Sequence, residues 1–532
     1  MESIWKKDVR IHERKPLQQE GGNTRQVDTL VIGAGMAGIL TAYFLRERGR
    51  EVLVVDANRI AGGQTEKTTA KITSQHGMIY DKLLRKCGRK RALDYARANE
   101  EAIALYEEII KEEKIPCYFE RCSAYLYTTC EEGIEKLKKE AKAAASLGID
   151  SCFLDTKILE WDLAGEYFYS EAGTEVHAVK TNRMDKSCLE MSDVEINEII
   201  DLPFKVKAAV CFENQAQFHP LEFIRYLAAK LEILENTKVL SVKKHMVHTD
   251  KGNIHAENIV FATHYPFVNV PGFYFLRQHQ ERSYVLALQG EGVPDKLAGM
   301  YYGIDKGGIS LRSAGGKLLF GGGGHRTGSH RTGGHRTGSR KPGKCSVGTP
   351  QCPACEEPKR KLDSDDALTG VSGYSYLRRM KQLYYPDATE YTAWSAQDCM
   401  PHDELPFIGR YSVCRPYWYV ATGFHKWGMT SSMIAARIIC DMIDGKENPY
   451  QKTFSPQRLL LRAGISNLCK DLGESVAGLT KGLFSKKNRR CRHMGCRLNW
   501  NPEEESWDCP CHGSRFGKDG KLVDNPAQRD LK

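Results

Sequence analysis

The chain has 532 residues, 41% of them hydrophobic, and a formal net charge of +10 at pH 7. This length exceeds what one hydrophobic core usually serves, so we expect two or three globular domains. Basic residues are interleaved with acidic ones and no known nucleic-acid motif accompanies them, so nucleic acid is not an expected partner. The sequence shows no apolar run of membrane-spanning length and no signal peptide at its start, which favours the cytoplasm.

The first predicted elements are a strand, a glycine-rich turn, a helix and a second strand over residues 27–56. In Gly33-Ala34-Gly35-Met36-Ala37-Gly38 the first glycine allows a tight turn and the second lets a pyrophosphate approach the backbone. The third lets helix and strand pack closely. Asp56 stands where an acidic side chain accepts hydrogen bonds from ribose hydroxyls. We therefore predict a dinucleotide site at the N-terminus of the helix, with a chance glycine-rich turn as the alternative.

Four motifs further along the chain resemble a known family. They are residues 58–71, Gln217 to Pro220, Trp394 to Asp398 and Ala421 to Thr430. Together with the first turn, they make residues 27–458 similar to the DadA-like, glycine/D-amino-acid oxidase superfamily. This resemblance implies an α/β fold, in which a Rossmann-type FAD-binding domain is interleaved with an antiparallel substrate domain.

The resemblance also implies how FAD is held. The last glycine-rich turn opens a helix whose N-terminus faces the flavin pyrimidine, where backbone N–H groups and the helix dipole stabilise negative charge. Val239 begins a strand whose backbone meets adenine, or else an ordinary core strand. Beyond the first turn, the predicted FAD-binding residues are Asp56, Ala57, Thr68, Thr69, Val239, Thr263, Gly409, Gly428, Met429 and Thr430.

One position departs from the family pattern. Relatives that oxidise amino acids hold the substrate carboxylate with an arginine four residues after a tryptophan, and here Asp398 follows Trp394 at that distance. A carboxylate repels another carboxylate but holds an ammonium group. We therefore expect an amine, or a substrate without a carboxylate near the flavin. A buried structural role for Asp398 is the open alternative.

Three further residues are candidates for the substrate side of the site. Arg410 directly follows the Pro406–Gly409 turn and is an alternative clamp, while His264 and His425 lie next to predicted flavin-side turns. In this superfamily hydride passes directly from the substrate carbon to the flavin, so the resemblance requires no general base. We expect a small amine or amino-acid-like substrate and an electron acceptor that the sequence does not identify.

Residues 325–370 predict a flexible insertion. A His-Arg-Thr-Gly tetrapeptide begins at His325 and is repeated at His330 and His335; the first copy resembles a family element and the others resemble duplications. Three cysteines follow, and with a nearby histidine they could bind zinc, but no second matching pair follows at finger spacing. These cysteines are Cys345, Cys352 and Cys355.

Residues 491–532 carry the most specific motif of the chain. The pattern C-x-H followed by C-x-x-H suits a [2Fe–2S] cluster in which two thiolates hold one iron and two imidazoles the other. A zinc knuckle is the alternative. The segment resembles a Rieske domain, and the whole chain resembles a bacterial group in which a flavoprotein carries such a domain. The resemblance implies the ligands Cys491, His493, Cys509 and His512 and a disulfide between Cys496 and Cys511.

The Rieske segment looks incomplete at its N-terminal side. Residues 459–490 predict an amphipathic helical connector that leads directly into the first ligand loop, where strands normally precede it. So short a segment is marginal without a metal or a disulfide, so we expect a small all-β unit whose histidines meet solvent and whose cluster is weakly held. The predicted division is a tail at 1–26, the oxidoreductase at 27–458, the connector at 459–490 and the Rieske segment at 491–532.

Two functions fit this sequence. The first is an FAD-dependent dehydrogenase that oxidises a C–N bond and passes electrons singly to the cluster. The second is a non-catalytic, degenerate redox-sensing flavoprotein whose Rieske segment no longer transfers electrons. A Rieske oxygenase is excluded, because no recognisable mononuclear-iron motif with two histidines and a carboxylate is present.

Overall fold

The computed structural model describes residues 2–8, 24–155, 196–200, 202–329, 373–458, 473, 478–483, 485 and 489–531. Most of the predicted insertion and connector lies outside the described residues. The predicted cysteine group of the insertion, Cys345, Cys352 and Cys355, lies there too. Among the described residues, no helix is both long enough and apolar enough to cross a bilayer.

The described helices and strands alternate through most of the chain. The helices are α1 (Ile4–Asp8), α2 (Met36–Glu47), α3 (Tyr80–Cys87), α4 (Arg89–Glu112), α5 (Glu131–Ser146), α6 (Ile196–Ile199), α7 (Pro220–Ala229), α8 (Gly373–Tyr384), α9 (Gly428–Ile443) and α10 (Gln451–Phe454), with 3-10 helices at Thr65–Lys67 and Tyr274–Leu276. The strands are β1 (Arg25–Ile32), β2 (Val52–Val55), β3 (Lys71–Ile72), β4 (Glu120–Thr128), β5 (Ser151–Asp155), β6 (Ala208–Gln217), β7 (Glu232–Leu234), β8 (Val239–Lys243), β9 (Met246–Thr249), β10 (Gly252–Phe261), β11 (Gln278–Gln289), β12 (Gly299–Gly303), β13 (Ser310–Ala314), β14 (Lys317–Arg326), β15 (Thr389–Pro401), β16 (Phe407–Ser412), β17 (Arg415–Thr422), β18 (Asn499–Asn501), β19 (Ser506–Asp508), β20 (Arg515–Gly517) and β21 (Leu522–Asp524).

The first sheet, called the nucleotide sheet below, contains the strand that leads into the glycine-rich turn. Its strand order is β16-β17-β10-β1-β2-β7, and β1 runs parallel to both β10 and β2. Val31 and Val54 at its centre are fully buried. Central parallel strands are covered by helices on both faces, which is why the end of β1, Leu30 to Ile32, and all of β2 are apolar. Helix α2, which follows β1, packs against α9 as well as against this sheet.

The second sheet, called the substrate sheet below, is interleaved with the first along the chain. Its order is β15-β11-β14-β13-β12-β4-β6-β3, with β5 paired to β6. Neighbouring strands are antiparallel except for β12 and β4. The predicted α/β fold with an interleaved antiparallel substrate domain is therefore confirmed. The long β11–β15 ladder, from Gln278 opposite Pro401 to Gln289 opposite Thr389, forms one end of this sheet.

The start of the chain, which the sequence suggested is a tail, contributes a packed helix. Ile4 and Trp5 of α1 are 1% and 2% exposed. The Trp5 indole N–H donates to the Thr68 carbonyl oxygen at 2.7 Å. Helix α1 therefore supports the loop that carries two of the predicted FAD-binding residues.

The third sheet, β18-β19-β20-β21, is the small all-β unit at the end of the chain. It packs against the substrate sheet through a buried charge network. Arg282 of β11 is 1% exposed and its Nη2 lies 2.5 Å from Glu504 Oε1. Arg515, itself buried, lies 3.1 Å from Asp508 and 2.8 Å from Asp524. The substrate sheet thus provides a partner surface that the isolated segment lacks.

Replacing Arg282 by methionine should destabilise the protein by about 3–5 kcal/mol, because among the described residues it leaves Arg515 as the one guanidinium in contact with three carboxylates, those of Glu504, Asp508 and Asp524. Chemical denaturation followed by tryptophan fluorescence measures this loss. The control is Arg85→Met, which removes a surface pair with Asp81 in which Arg85 is 66% exposed. Its expected cost is within about 0.5 kcal/mol, and an equal cost for both variants would contradict the network's role.

Candidate cofactor and substrate site

A cavity of about 1740 Å³ lies between the nucleotide sheet and the substrate sheet. It opens at the carboxyl ends of β1, β2 and β10, the position at which parallel sheets of this type bind dinucleotides. Most of the predicted FAD-binding residues line it: Gly33, Gly35, Met36, Ala37, Asp56, Ala57, Thr68, Thr69, Val239, Thr263, Gly428 and Met429.

The glycine turn forms a cradle that fits a pyrophosphate. Gly33 has φ +112°, and a Cβ there would lie 2.4 Å from the Ala262 carbonyl oxygen. A Cβ on Gly35 would face the cavity, with Thr65 Oγ1 at 3.2 Å. Asp56 accepts hydrogen bonds from the Ala34 and Asn58 N–H groups, both at 2.7 Å. The turn and the N-terminus of α2 therefore line the cavity without side-chain bulk at Gly33 and Gly35, which is the space that a pyrophosphate needs.

Four predicted FAD-binding residues do not line the cavity. A Cβ on Gly38 would lie 1.8 Å from the Gly33 oxygen, so this glycine permits close packing of helix on strand. Ala34 contributes its N–H to Asp56, and Thr430 Oγ1 lies 3.4 Å from the Thr73 oxygen. Gly409 lies on the edge strand β16, where a Cβ would be 3.5 Å from Met442 Sδ, and outside the cavity lining.

The flavin end of the cavity is marked by α9. Gly428 and Met429 at its start line the cavity, as the resemblance implied. Next to them, Trp427 stacks on His76 with ring centroids 4.7 Å apart. His76 is fixed in turn, because Nε2 lies 2.6 Å from the Thr73 oxygen. No sequence motif indicates this stacked pair, because His76 and Trp427 lie far apart in the chain.

Three charged side chains meet on the substrate side of the cavity. Asp398 of β15 lies opposite Glu281 of β11 in the ladder, and Lys426 Nζ lies 2.9 Å from Glu281 Oε2. Burial alone would raise the pKa of Glu281, but Lys426 keeps it well below its usual range. Burial raises the pKa of Asp398 to about 6. Lys426 therefore neutralises Glu281, and Asp398 is the carboxyl that changes charge near neutral pH.

Two of the other three candidates reach this cavity. His264 and His425 both line it, and burial lowers the pKa of each to about 4, so both are neutral at pH 7. Arg410 does not line this cavity. Its side chain is exposed, because β16 is the edge strand of the nucleotide sheet.

The second candidate site lies between the ligand loops of the small sheet. Cys491 and Cys509 are 4% and 0% exposed. A hydrogen bond from the Cys509 thiol lowers the pKa of Cys491 to about 7. The rings of His493 and His512 are perpendicular, with centroids 4.9 Å apart. Two thiols and two imidazoles therefore converge, as a Rieske cluster requires.

The hydrogen bonding of His493 also fits a metal ligand. Its Nε2 lies 3.0 Å from Asn269 Oδ1 of the oxidoreductase domain. Its Nδ1 is buried, and no hydrogen-bond partner for that atom is found in the described part of the chain. A ligand histidine usually has one ring nitrogen fixed by such an outer partner, which leaves the other nitrogen for the metal.

The structure brings the cysteines of the two ligand loops together but corrects one expectation about His512. Cys496 and Cys511 are not joined in the structure, but their sulfur atoms and that of Cys509 lie within 4.8 Å of one another, so the implied disulfide stays a prediction. His512 is only 4% exposed rather than open to solvent. Phe275 of the oxidoreductase domain lies edge-on to the His512 ring at 5.9 Å, and thereby covers it.

A family profile for FAD dependent oxidoreductases matches residues 28–182 and 175–442. The chain belongs to the FAD-dependent oxidoreductase family. A Rieske [2Fe-2S] domain profile matches residues 478–532, and so begins inside the predicted connector. The family uses FAD and the Rieske domain carries a [2Fe–2S] cluster, which makes these the cofactors of the chain.

The chain is similar to two proteins that are named as iron-sulfur proteins. It is 31% identical to the Bacillus subtilis (strain 168) protein YhfW, named as a putative Rieske 2Fe-2S iron-sulfur protein, with 100% of this chain and 97% of that one covered. Its last part is 50% identical over 42 residues to the cytochrome b6-f complex iron-sulfur subunit 3 of Nostoc sp., which is 8% of this chain and 24% of that protein.

Solved structures share the fold of the larger part. L-proline dehydrogenase from P. horikoshii covers 82% of this chain and 98% of its own, with 15% identity and a TM-score of 0.56. Glycine oxidase from Geobacillus kaustophilus covers 82% and 100%, with 16% identity and a TM-score of 0.56. Identities this low establish the fold alone.

Gly35→Val should abolish FAD retention, because its side chain would occupy the space where the pyrophosphate approaches the backbone. The purified variant should lack the flavin absorbance of the wild type while its far-ultraviolet circular dichroism is unchanged. A yellow variant with a full complement of FAD would refute this placement of the pyrophosphate.

Proposed function

We propose that the chain is a dehydrogenase that oxidises the C–N bond of an amine or amino-acid-type substrate and delivers the electrons through its Rieske cluster to a separate acceptor. When bound, FAD supplies a hydride acceptor and the cluster a one-electron carrier. The observation that carries the proposal is the half-buried Asp398 carboxyl on the cavity wall, next to the ion pair of Glu281 with Lys426.

In this proposal Asp398 holds the substrate nitrogen. Above its pKa of about 6 the carboxyl is an anion in a half-buried site, where it attracts a cationic amine more strongly than it would in water. His264 and His425 are neutral at pH 7 and add no competing positive charge. The charge of Lys426 is balanced by Glu281, so the negative charge of Asp398 remains available to the substrate.

The paired ligand loops favour this function over a degenerate redox sensor. Cys491, Cys509 and His512 are buried, and the ring of the half-buried His493 lies next to that of His512. The Gln280 side chain, from the strand that also carries Glu281, donates to the His512 carbonyl oxygen at 2.7 Å. The substrate sheet and a ligand loop are thus in direct contact, which supports electron transfer between the two sites.

Asp398→Asn should weaken the binding of a cationic amine by about 1–3 kcal/mol while leaving a neutral analogue of the same shape nearly unaffected. The two dissociation constants are measured by perturbation of the flavin spectrum at pH 8. An equal loss of affinity for both ligands would assign Asp398 a structural role and contradict the proposed contact.

The same residue predicts a pH dependence of stability. The folded-state pKa of Asp398, about 6, lies above the ordinary value of 3.8. The protonated carboxyl therefore contributes fully to the free energy of unfolding below pH 3.8, and this contribution is lost as the pH rises through about 6. The change in the free energy of unfolding caused by Asp398→Asn should therefore be more stabilising at pH 8 than at pH 4, by about 2–3 kcal/mol. Denaturation at both pH values tests this, and a pH-independent effect would contradict the raised pKa of this carboxyl.

A further inference from the structure

The last strand of the Rieske segment and the residues after it, 522–530, lie along the FAD cavity; this segment is called the strap. The cavity that contains Gly33 and Gly35 is also lined by the strap. Its lining members are Leu522, Val523, Asp524, Asn525, Ala527, Gln528 and Asp530.

The strap is hydrogen-bonded to loops that surround the dinucleotide position. Asn525 Nδ2 donates to the Thr263 oxygen at 3.1 Å and to the Tyr265 oxygen at 3.0 Å, directly after β10. Lys238, next to the predicted adenine strand, donates its Nζ to the Gln528 oxygen at 2.8 Å. The strap therefore crosses the sheet edge at which the glycine turn meets a pyrophosphate.

We propose that the Rieske segment completes the FAD site. The strap forms one wall of that site, so the binding of FAD and the binding of the cluster strengthen each other. The proposal concerns the binding of both cofactors and does not depend on the substrate.

The charge of the strap is compatible with a neighbouring pyrophosphate. Asp524 would repel phosphate if it were unpaired, but Arg515 Nη1 lies 2.8 Å from it. Burial alone would raise the pKa of Asp524, and Lys67 and Arg515 instead keep it well below its usual range. The Asp530 carboxylate accepts the Leu522 N–H at 2.9 Å, within the segment itself.

The strap and a ligand loop are fixed by the same groups. Gln280 Nε2 donates both to the His512 oxygen at 2.7 Å and to the Asn525 oxygen at 3.0 Å. The Ala527 N–H donates to Ser514 Oγ at 3.0 Å, two residues beyond His512. A ligand loop ordered by its metal therefore also orders the strap. Reciprocity then requires that bound FAD strengthen retention of the cluster by the same factor.

The first experiment measures FAD affinity in a strap variant. Asn525→Asp keeps the size of the side chain but replaces a double donor by a carboxylate that faces two carbonyl oxygens. FAD should bind the deflavinated, cluster-containing variant about tenfold more weakly than wild type, or worse, as measured by quenching of FAD fluorescence. Lys521→Ala is the control on the same small sheet, with a side chain that is 79% exposed.

The Rieske visible spectrum shows whether the small sheet of the variant is intact, and Asn525→Ala is the milder variant if Asn525→Asp loses its cluster. Wild-type FAD affinity in an Asn525 variant that retains its cluster would overturn the proposal. These titrations contain no substrate, so their failure is distinct from a failure of the proposed amine oxidation.

The second experiment tests the mutual effect directly. The cluster is removed from wild-type protein with an iron chelator, and the FAD dissociation constant is compared with that of the cluster-loaded protein. The FAD affinity should fall on removal of the cluster, and the chelator should extract iron at lower concentration from deflavinated protein than from FAD-loaded protein. Equal FAD affinity with and without the cluster would contradict the mutual retention of the cofactors.

Discussion

The buried guanidinium of Arg282 sets the arrangement of the two cofactor sites. It belongs to the substrate sheet, but its carboxylate partner at 2.5 Å, Glu504, belongs to the Rieske segment. A buried charge without a partner is costly. Separation of the Rieske segment from the oxidoreductase domain would therefore leave Arg282 without the Glu504 carboxylate. The same strand places Glu281 in the substrate site and Gln280 against a ligand loop. One strand therefore links substrate, flavin cavity and cluster.

This arrangement explains how so short a Rieske segment can be ordered. The surface of the oxidoreductase domain packs against the described part of this segment. Arg326, in the first copy of the repeated tetrapeptide, donates to the Pro510 and Cys511 oxygens, both at 3.1 Å. Glu503 accepts the Tyr374 and Ser375 N–H groups, both at 3.0 Å, at the N-terminus of α8. A helix terminus and a loop thus bind the segment from two sides.

Sequence reasoning succeeded where the signal is local and failed where it depends on long-range pairing. The glycine turn could be predicted because its glycines, the flanking strand and helix, and Asp56 lie within one short stretch of sequence. Glu281 could not be found, since its place beside Asp398 depends on the register of the β11–β15 ladder. The expectation that His512 meets solvent was wrong, because the small segment was considered without the domain that covers it. The position of Arg410 on an edge strand, outside the cavity lining, depends on the strand order of the sheet, which the sequence does not show.

The central claim is that amine oxidation at the flavin supplies electrons to the cluster of the same chain. Anaerobic addition of candidate amines to the holoprotein, followed by visible and electron paramagnetic resonance spectroscopy, tests it most directly. The account predicts an amine that bleaches the flavin absorbance and then produces the signal of a reduced Rieske cluster, at a rate independent of protein concentration. Flavin bleaching that leaves an intact cluster oxidised would contradict it.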